Sequence, residues 1–211
     1  MSSEKQRVIT AAIGLPFLLL FLWLGGAWLA GLLVLLGLIG GYEYCRLLQT
    51  TRMRQPAMWY LCGLVYIAAG FLAFYGVRVE EGTAWLLIVI WSTDIAAYEY
   101  GRRFGRHKLA PTISPHKTVE GAVAGIVAAI VLGSGYAAVV MGINFMAAFA
   151  VSLLISVLGQ VGDLIESHAK RLAGVKDSGK LLPGHGGVLD RFDSILFASM
   201  FMYLLLKMLR R

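Results

Sequence analysis

The chain has 211 residues, of which 58% are hydrophobic and only 15% charged, and it carries a net charge of +7. Its mean hydropathy is +0.73, whereas a soluble domain carries about a quarter charged residues. This excludes an ordinary soluble domain, and the lack of a basic domain interleaved with aromatics excludes a nucleic-acid binder.

Apolar blocks of roughly 17–22 residues, long enough to span a bilayer as helices, recur along the chain. They predict an all-α, polytopic integral membrane protein with about seven transmembrane helices. In chain order these fall near Val8–Leu24, Ala27–Tyr42, Met58–Val77, Ala84–Tyr98, Val119–Val140, Phe145–Ile165 and Phe192–Leu209. Residues 1–90 form a set of N-terminal membrane helices, and 91–211 a C-terminal catalytic region. Lys5 and Arg7 before the first block also suit a signal peptide, but nothing after that block looks soluble. Cys45 and Cys62 form no disulfide or zinc pattern and are expected to be small buried residues.

The cations set an orientation. Arg46, Arg52 and Arg54 follow the second segment, Arg102, Arg103, Arg106, Lys108 and Lys117 the fourth, and Lys170, Arg171, Lys176 and Lys180 the sixth. The alternate connections are nearly free of Lys and Arg. By the positive-inside rule the basic loops face the cytoplasm. The tail "KMLRR" disagrees, because an odd helix count places it outside.

Two of these cytoplasmic loops are rich in polar groups. In the first, "STDIAAYEYGRRFGRHKLAPTISPHKTVEG", Asp94 lies inside an apolar run. Burying it there costs about 2.5–3.5 kcal/mol on insertion scales, so it should face a polar cavity. Tyr98 shares its helix face. "ISPHKT" reads as a turn into a helix, with Thr118 as N-cap and Glu120 in the first turn.

The second loop is "LGQVGDLIESHAKRLAGVKDSGKLLPGHGGVLDRFDS". If the sixth helix continues, Ser167 stacks on Asp163 and Lys170 on Glu166, for which a structural role is expected. "LPGHGG" cannot be helical, and its glycines let backbone N–H groups turn toward an anion. Asp190 and Asp193 open the last helix. Carboxylates at the ends of successive helices converge and repel, which Mg²⁺ relieves through oxygen ligands. The surrounding Lys and Arg suit phosphate. Together these groups point to phosphoryl or nucleotidyl transfer at a membrane.

The stretch "SHAKRLAGVKDSGKLLPGHGGVLDRFD" resembles the signature of the phosphatidate cytidylyltransferases, or CDP-diacylglycerol synthases. Its matching positions are Ser167, Lys170, Arg171, Lys176, Asp177, Gly179, Leu182, Pro183, His185, Gly186, Gly187, Asp190, Arg191 and Asp193. The upstream "DIAAYEYG" and "SPHKTVEG" and the opening "KQRVITA" are also similar to that family. Glu99, His116 and Val119 depart from its pattern, and the N-terminal half is shorter by about two helices.

The resemblance implies a Mg²⁺-dependent reaction, with one or two metal ions, in which phosphatidate attacks CTP to give CDP-diacylglycerol and pyrophosphate. It implies metal on Asp163 and Asp190, with Asp193 nearby, and Lys170 and Arg171 among the catalytic groups. Lys176 and Arg191 would hold phosphate oxygens. Asp94, Ser114, Lys117 and Ser167 would line the cavity, and His185, Gly186 and Gly187 would contact substrate. It further implies a homodimer in the bacterial inner membrane, with the active site facing the cytoplasm. Two other readings are an enzyme acting on a polyisoprenoid or ether-lipid phosphate, or as a lipid kinase, and a transporter coupled through Asp94 and Asp163. No internal repeat supports the transporter.

Overall fold

The computed structural model describes residues 3–51, 56–179, 181, 184 and 186–209. Its helices are α1 (Ser3–Leu24), α2 (Gly26–Gln49), α3 (Pro56–Val79), α4 (Thr83–Phe104), α5 (Val119–Ala129), α6 (Gly135–Val139), α7 (Phe145–Leu172) and α8 (Leu189–Leu209). A π-helical turn, Ile130–Ser134, joins α5 and α6 into one rod, so seven long rods stand where seven segments were expected. Five of them, starting at residues 26, 57, 119, 145 and 189, are long and apolar enough to cross a membrane. A shorter apolar stretch, Ala12–Leu24, lies in α1.

The helices run past the apolar stretches that revealed them. The second, fourth and sixth segments end not at Tyr42, Tyr98 and Ile165 but at Gln49, Phe104 and Leu172. Hydropathy marks where a helix leaves an apolar medium; backbone hydrogen bonding continues until a cap or breaker intervenes. These polar extensions carry Glu43, Glu166, Ser167, Lys170 and Arg171.

Helix α4 occupies the interior. Trp85, Leu86, Val89, Ile90 and Thr93 are at most 2% exposed. Its tightest partner is α5, whose Gly125 would place a Cβ 2.7 Å from the Thr93 carbonyl oxygen. Only glycine allows that approach, the small-residue packing that drives helix association in lipid. Trp85 donates to Ser152 of α7 at 3.0 Å, and Thr93 bonds Ser156 at 2.7 Å. Apolar side chains also point outward, among them Leu35, Leu61, Leu72, Val123, Val127 and Leu204. A face of this kind suits lipid rather than water. Cys62 belongs to this outer surface, so it is exposed and not buried as expected; Cys45 is half-buried and also free.

One expectation is corrected between α4 and α5. "SPHKT" is a strand, β2 (Ser114–Thr118), paired antiparallel with β1 (Lys108–Ala110). Pro115 removes a donor and resists helix. Glu120 then draws the segment back, accepting from the Arg106 and His107 amides and from His107 Nδ1 at 2.6 Å. Thr118 does cap α5, accepting from Gly121 N at 3.1 Å.

The connections sort onto two faces. On one, Thr50 donates to the Ala173 carbonyl at 3.2 Å, and Arg171 Nε to the Ile113 carbonyl at 3.1 Å. The ends of α2 and α7 and the β-hairpin therefore share this polar face. On the other, Arg78 Nε reaches the Leu22 carbonyl at 2.9 Å, and Gly82 lies against Leu206 near the end of α8. The rod count is thus odd, and α8 ends opposite the polar loops.

Candidate active site

Helix α7 brings the first group together. Asp163 Oδ2 accepts from Lys117 Nζ of β2 at 2.5 Å, and its Oδ1 accepts from Ser167 at 3.1 Å, one helical turn along. A cavity of about 610 Å³ opens here, lined by Asp94, Tyr98, His116, Lys117 and Asp163 among others. Asp94 thus faces a polar cavity, as its position in an apolar run required. Asp193 of α8 lies within electrostatic reach of both Asp163 and Asp94, and Arg191 within reach of Asp94. The two helices come close because residue 162 is glycine. A Cβ there would sit 2.9 Å from the Asp193 carbonyl oxygen.

A second group is built around Asp190. Its Oδ1 accepts from Lys170 Nζ at 2.7 Å, and its Oδ2 accepts from Ser178 N, Ser178 Oγ and Gly187 N at 2.9, 3.0 and 2.8 Å. Lys170 also pairs with Glu166 at 3.2 Å. The Glu166–Lys170 pair expected from spacing is therefore present, but it is part of a larger polar group. Gly187 does turn its N–H toward an anion, and that anion is the chain's own Asp190. Gly186, at φ 82°, makes this turn, and a Cβ on it would lie 2.5 Å from Asp190 Oδ2.

Glu43 was missed from the sequence. It is 5% exposed on α2 and accepts from Val188 N at 3.0 Å, Leu189 N at 3.1 Å and Ser178 Oγ at 3.2 Å. It neutralises the N-terminus of α8 and fastens the signature loop to the N-terminal half. The available signal was an ionisable residue at the very edge of an apolar run, a weaker form of the cue that singled out Asp94.

The other expected residues are spread more widely. Arg171 is exposed and donates to the Ile113 and Val175 carbonyls, tying the two polar loops together. Ser114 is half-buried at the start of β2, opposite Ala110. Lys176 is exposed beside α2, facing a separate cavity. His185 lies outside the described residues. Of the departures from the family pattern, Glu99 pairs with Arg103 at 3.2 Å and Arg102 at 3.7 Å, His116 lines the 610 Å³ cavity, and Val119 is the exposed first residue of α5.

Among the described residues, no three His, Cys, Asp or Glu side chains gather closely enough to hold a metal ion by themselves. Mg²⁺ does not need such a cage, because it is commonly bound by one or two carboxylates together with waters and substrate phosphates. The hard oxygen donors of Asp163 and Asp193, within electrostatic reach of each other and of Asp94, fit that mode. Asp190 fits it less well, since both its oxygens are already engaged.

The model of the cytidylyltransferase family matches residues 5–84 and 55–209. The chain belongs to the cytidylyltransferase family. It is 42% identical over 156 residues to proteins named phosphatidate cytidylyltransferase from Staphylococcus haemolyticus (strain JCSC1435) and Staphylococcus aureus (strain COL). A protein of that name from Staphylococcus epidermidis (strain ATCC 12228 / FDA PCI 1200) is 43% identical over the same length. Each alignment covers 72% of this chain and 60% of the relative. The chain thus spans about 60% of the length of these curated relatives. For this cytidylyltransferase-family member, the signature residues fall on one face of a bundle of apolar helices.

Proposed function

We propose that the protein transfers a cytidylyl group from CTP to phosphatidate, giving CDP-diacylglycerol and pyrophosphate. The observation that carries this reading is the convergence of Asp94, Lys117, Asp163, Ser167 and Asp193 at the rim of a membrane-length helix bundle. The names of relatives at 42–43% identity support the choice of substrates.

A phosphate oxygen of phosphatidate attacks the α-phosphorus of CTP, the bond from that phosphorus to the bridging oxygen breaks, and pyrophosphate leaves with the electron pair. The attacking oxygen is already ionised, so no strong base is required. Catalysis is then positioning and charge neutralisation. Lys117 and Arg191 would supply positive charge to triphosphate oxygens. Lys170 and Asp190 hold the α7–α8 junction in shape, and Ser167 orients Asp163. Mg²⁺, held by Asp163 with Asp193 beside it, would neutralise the triphosphate and stabilise the departing pyrophosphate.

A cytoplasmic site in a bacterial inner membrane belongs to the same reading. It is supported by the cations: Arg46, Arg102, Arg103, Arg106, Lys108, Lys117, Lys170, Arg171 and Lys176 lie at or near the polar face, whereas Arg78 and Lys207 lie toward the other. Assembly as a homodimer rests on the family resemblance alone. The deciding experiment is CTP turnover by the purified chain, followed as pyrophosphate release with phosphatidate or a polyisoprenyl phosphate and as CDP release with diacylglycerol. Release with phosphatidate alone is expected. Turnover with another acceptor only would replace the substrate assignment.

A further inference from the structure

Gln160 of α7 takes no part in the chemistry set out above, yet its position is unusual. It stands inside an apolar run, whereas the chain's other amides, Gln6, Gln49, Gln55 and Asn144, lie outside such runs. A polar group placed there needs a partner or a polar cavity. Gln160 is half-buried and lines the 610 Å³ cavity together with Asp94, Lys117 and Asp163.

Only one end of its amide is satisfied by the protein. Nε2 donates to the Ala122 carbonyl of α5 at 3.4 Å. Oε1 meets no donor among the described residues and is not closed off by protein. We propose that Gln160 reads the base of the nucleotide, its Oε1 accepting a hydrogen bond from the 4-amino group of cytosine. The assignment rests on CTP as the substrate.

The polarity of the amide is what makes it selective. A backbone carbonyl can only accept, so only the Nε2 end of Gln160 suits Ala122. Turning the amide over would set two oxygens against each other. The acceptor is thereby fixed as the free end. At position 4, cytosine carries an amino donor, and uracil carries a carbonyl acceptor like that of thymine. A fixed acceptor matches the first and opposes the second.

The placement suits one nucleotide. Gln160 precedes Asp163 by three residues, which makes the two neighbours on the helix surface, about 4.5 Å apart along its axis. The base edge is then close to the carboxylate that would bear the metal. Arg102, Lys108 and Lys117 line other parts of the same cavity, so the triphosphate has cations beside it and the base a neutral amide. The volume falls within the roughly 300–1,000 Å³ of small-molecule pockets.

The test uses the full chain in phosphatidylcholine nanodiscs containing phosphatidate. It compares kcat/KM for CTP, UTP and the triphosphate of 2-pyrimidinone riboside, which lacks the 4-amino group and puts no acceptor in its place. Equilibrium binding of the same three nucleotides is measured beside it. Wild type should prefer CTP to the pyrimidinone roughly tenfold, the range of one hydrogen bond, and should prefer it to UTP more strongly still. Gln160→Leu should bring CTP and the pyrimidinone within about twofold. Gln160→Glu keeps an oxygen acceptor and should retain the preference. These ratios do not depend on the fraction of folded protein.

A wild-type protein indifferent to the 4-amino group would overturn the assignment without any variant. CTP turnover with unchanged ratios in Gln160→Leu would overturn it and leave the reaction standing. CTP-selective binding that Gln160→Leu removes, without pyrophosphate release, would uphold the base contact and defeat the reaction. Absence of both CTP binding and CTP turnover would defeat the two together.

Discussion

Lys170 donates to Asp190 at 2.7 Å across the junction of α7 and α8, with their side chains only 9% and 5% exposed. A buried pair of this kind defines geometry more than it adds stability, and breaking it from one side leaves a charge unpaired. Asp190 moreover holds three donors of the signature loop through its other oxygen.

Asp163→Asn and Asp190→Asn should therefore fail in different ways. Both should lower turnover roughly ten- to a hundredfold, the order expected from losing a charge-assisted contact. Asp163→Asn should shift the Mg²⁺ titration and leave the loop intact. Asp190→Asn should expose the 176–188 loop to protease and leave the Mg²⁺ midpoint near wild type in whatever activity remains. Equal Mg²⁺ shifts in both variants would return Asp190 to the metal site.

Glu43→Gln tests the tie between the two halves of the chain. Glutamine keeps one acceptor oxygen but loses the charge facing the α8 N-terminus, a contribution of about 0.3–1 kcal/mol, rising toward 2 when partly buried. The Tm should fall by a few degrees and kcat more than KM for CTP. Glu43→Ala should be worse than Gln, because Val188 N and Leu189 N would then lack a buried acceptor. A Glu43→Gln protein with wild-type kcat and loop protection would mean that α2 does not position the site.

Gly162→Leu should abolish turnover without touching any polar residue. Its side chain would press on the Asp193 carbonyl and Phe197, prising α8 from α7. Gly174→Ala is the control: a Cβ there meets nothing within 4 Å, though its φ of 70° adds backbone strain. It should retain most activity, measured as pyrophosphate release per mole of folded protein.

Sidedness can be read by labelling. In a background without Cys45 and Cys62, cysteines at Arg106 and Lys176 should react with an impermeant thiol reagent from one side of sealed vesicles, and one at Gly142 from the other. Lys207→Cys should follow Gly142, because α8 ends on that face. Labelling of Lys207→Cys together with Arg106→Cys would contradict an odd number of crossings.

The sequence by itself determined the class of the protein, its seven helical rods and the stretch that carries its chemistry. Apolar length and the spacing of Asp163–Ser167 and Glu166–Lys170 are local properties, and a helix translates them directly into geometry. The signature likewise marked Asp190 and its glycines as functional without showing what they hold. The tertiary structure decided the pairing. Asp163 meets Lys117, 46 positions away, because β2 folds back over α7; Asp190 meets Lys170 from the preceding helix; and Glu43 reaches Val188 from 145 positions upstream. Such contacts depend on which helix faces are brought together by small residues such as Gly125 and Gly162. Hydropathy does not encode that choice, because outward and inward faces of these helices are both largely apolar.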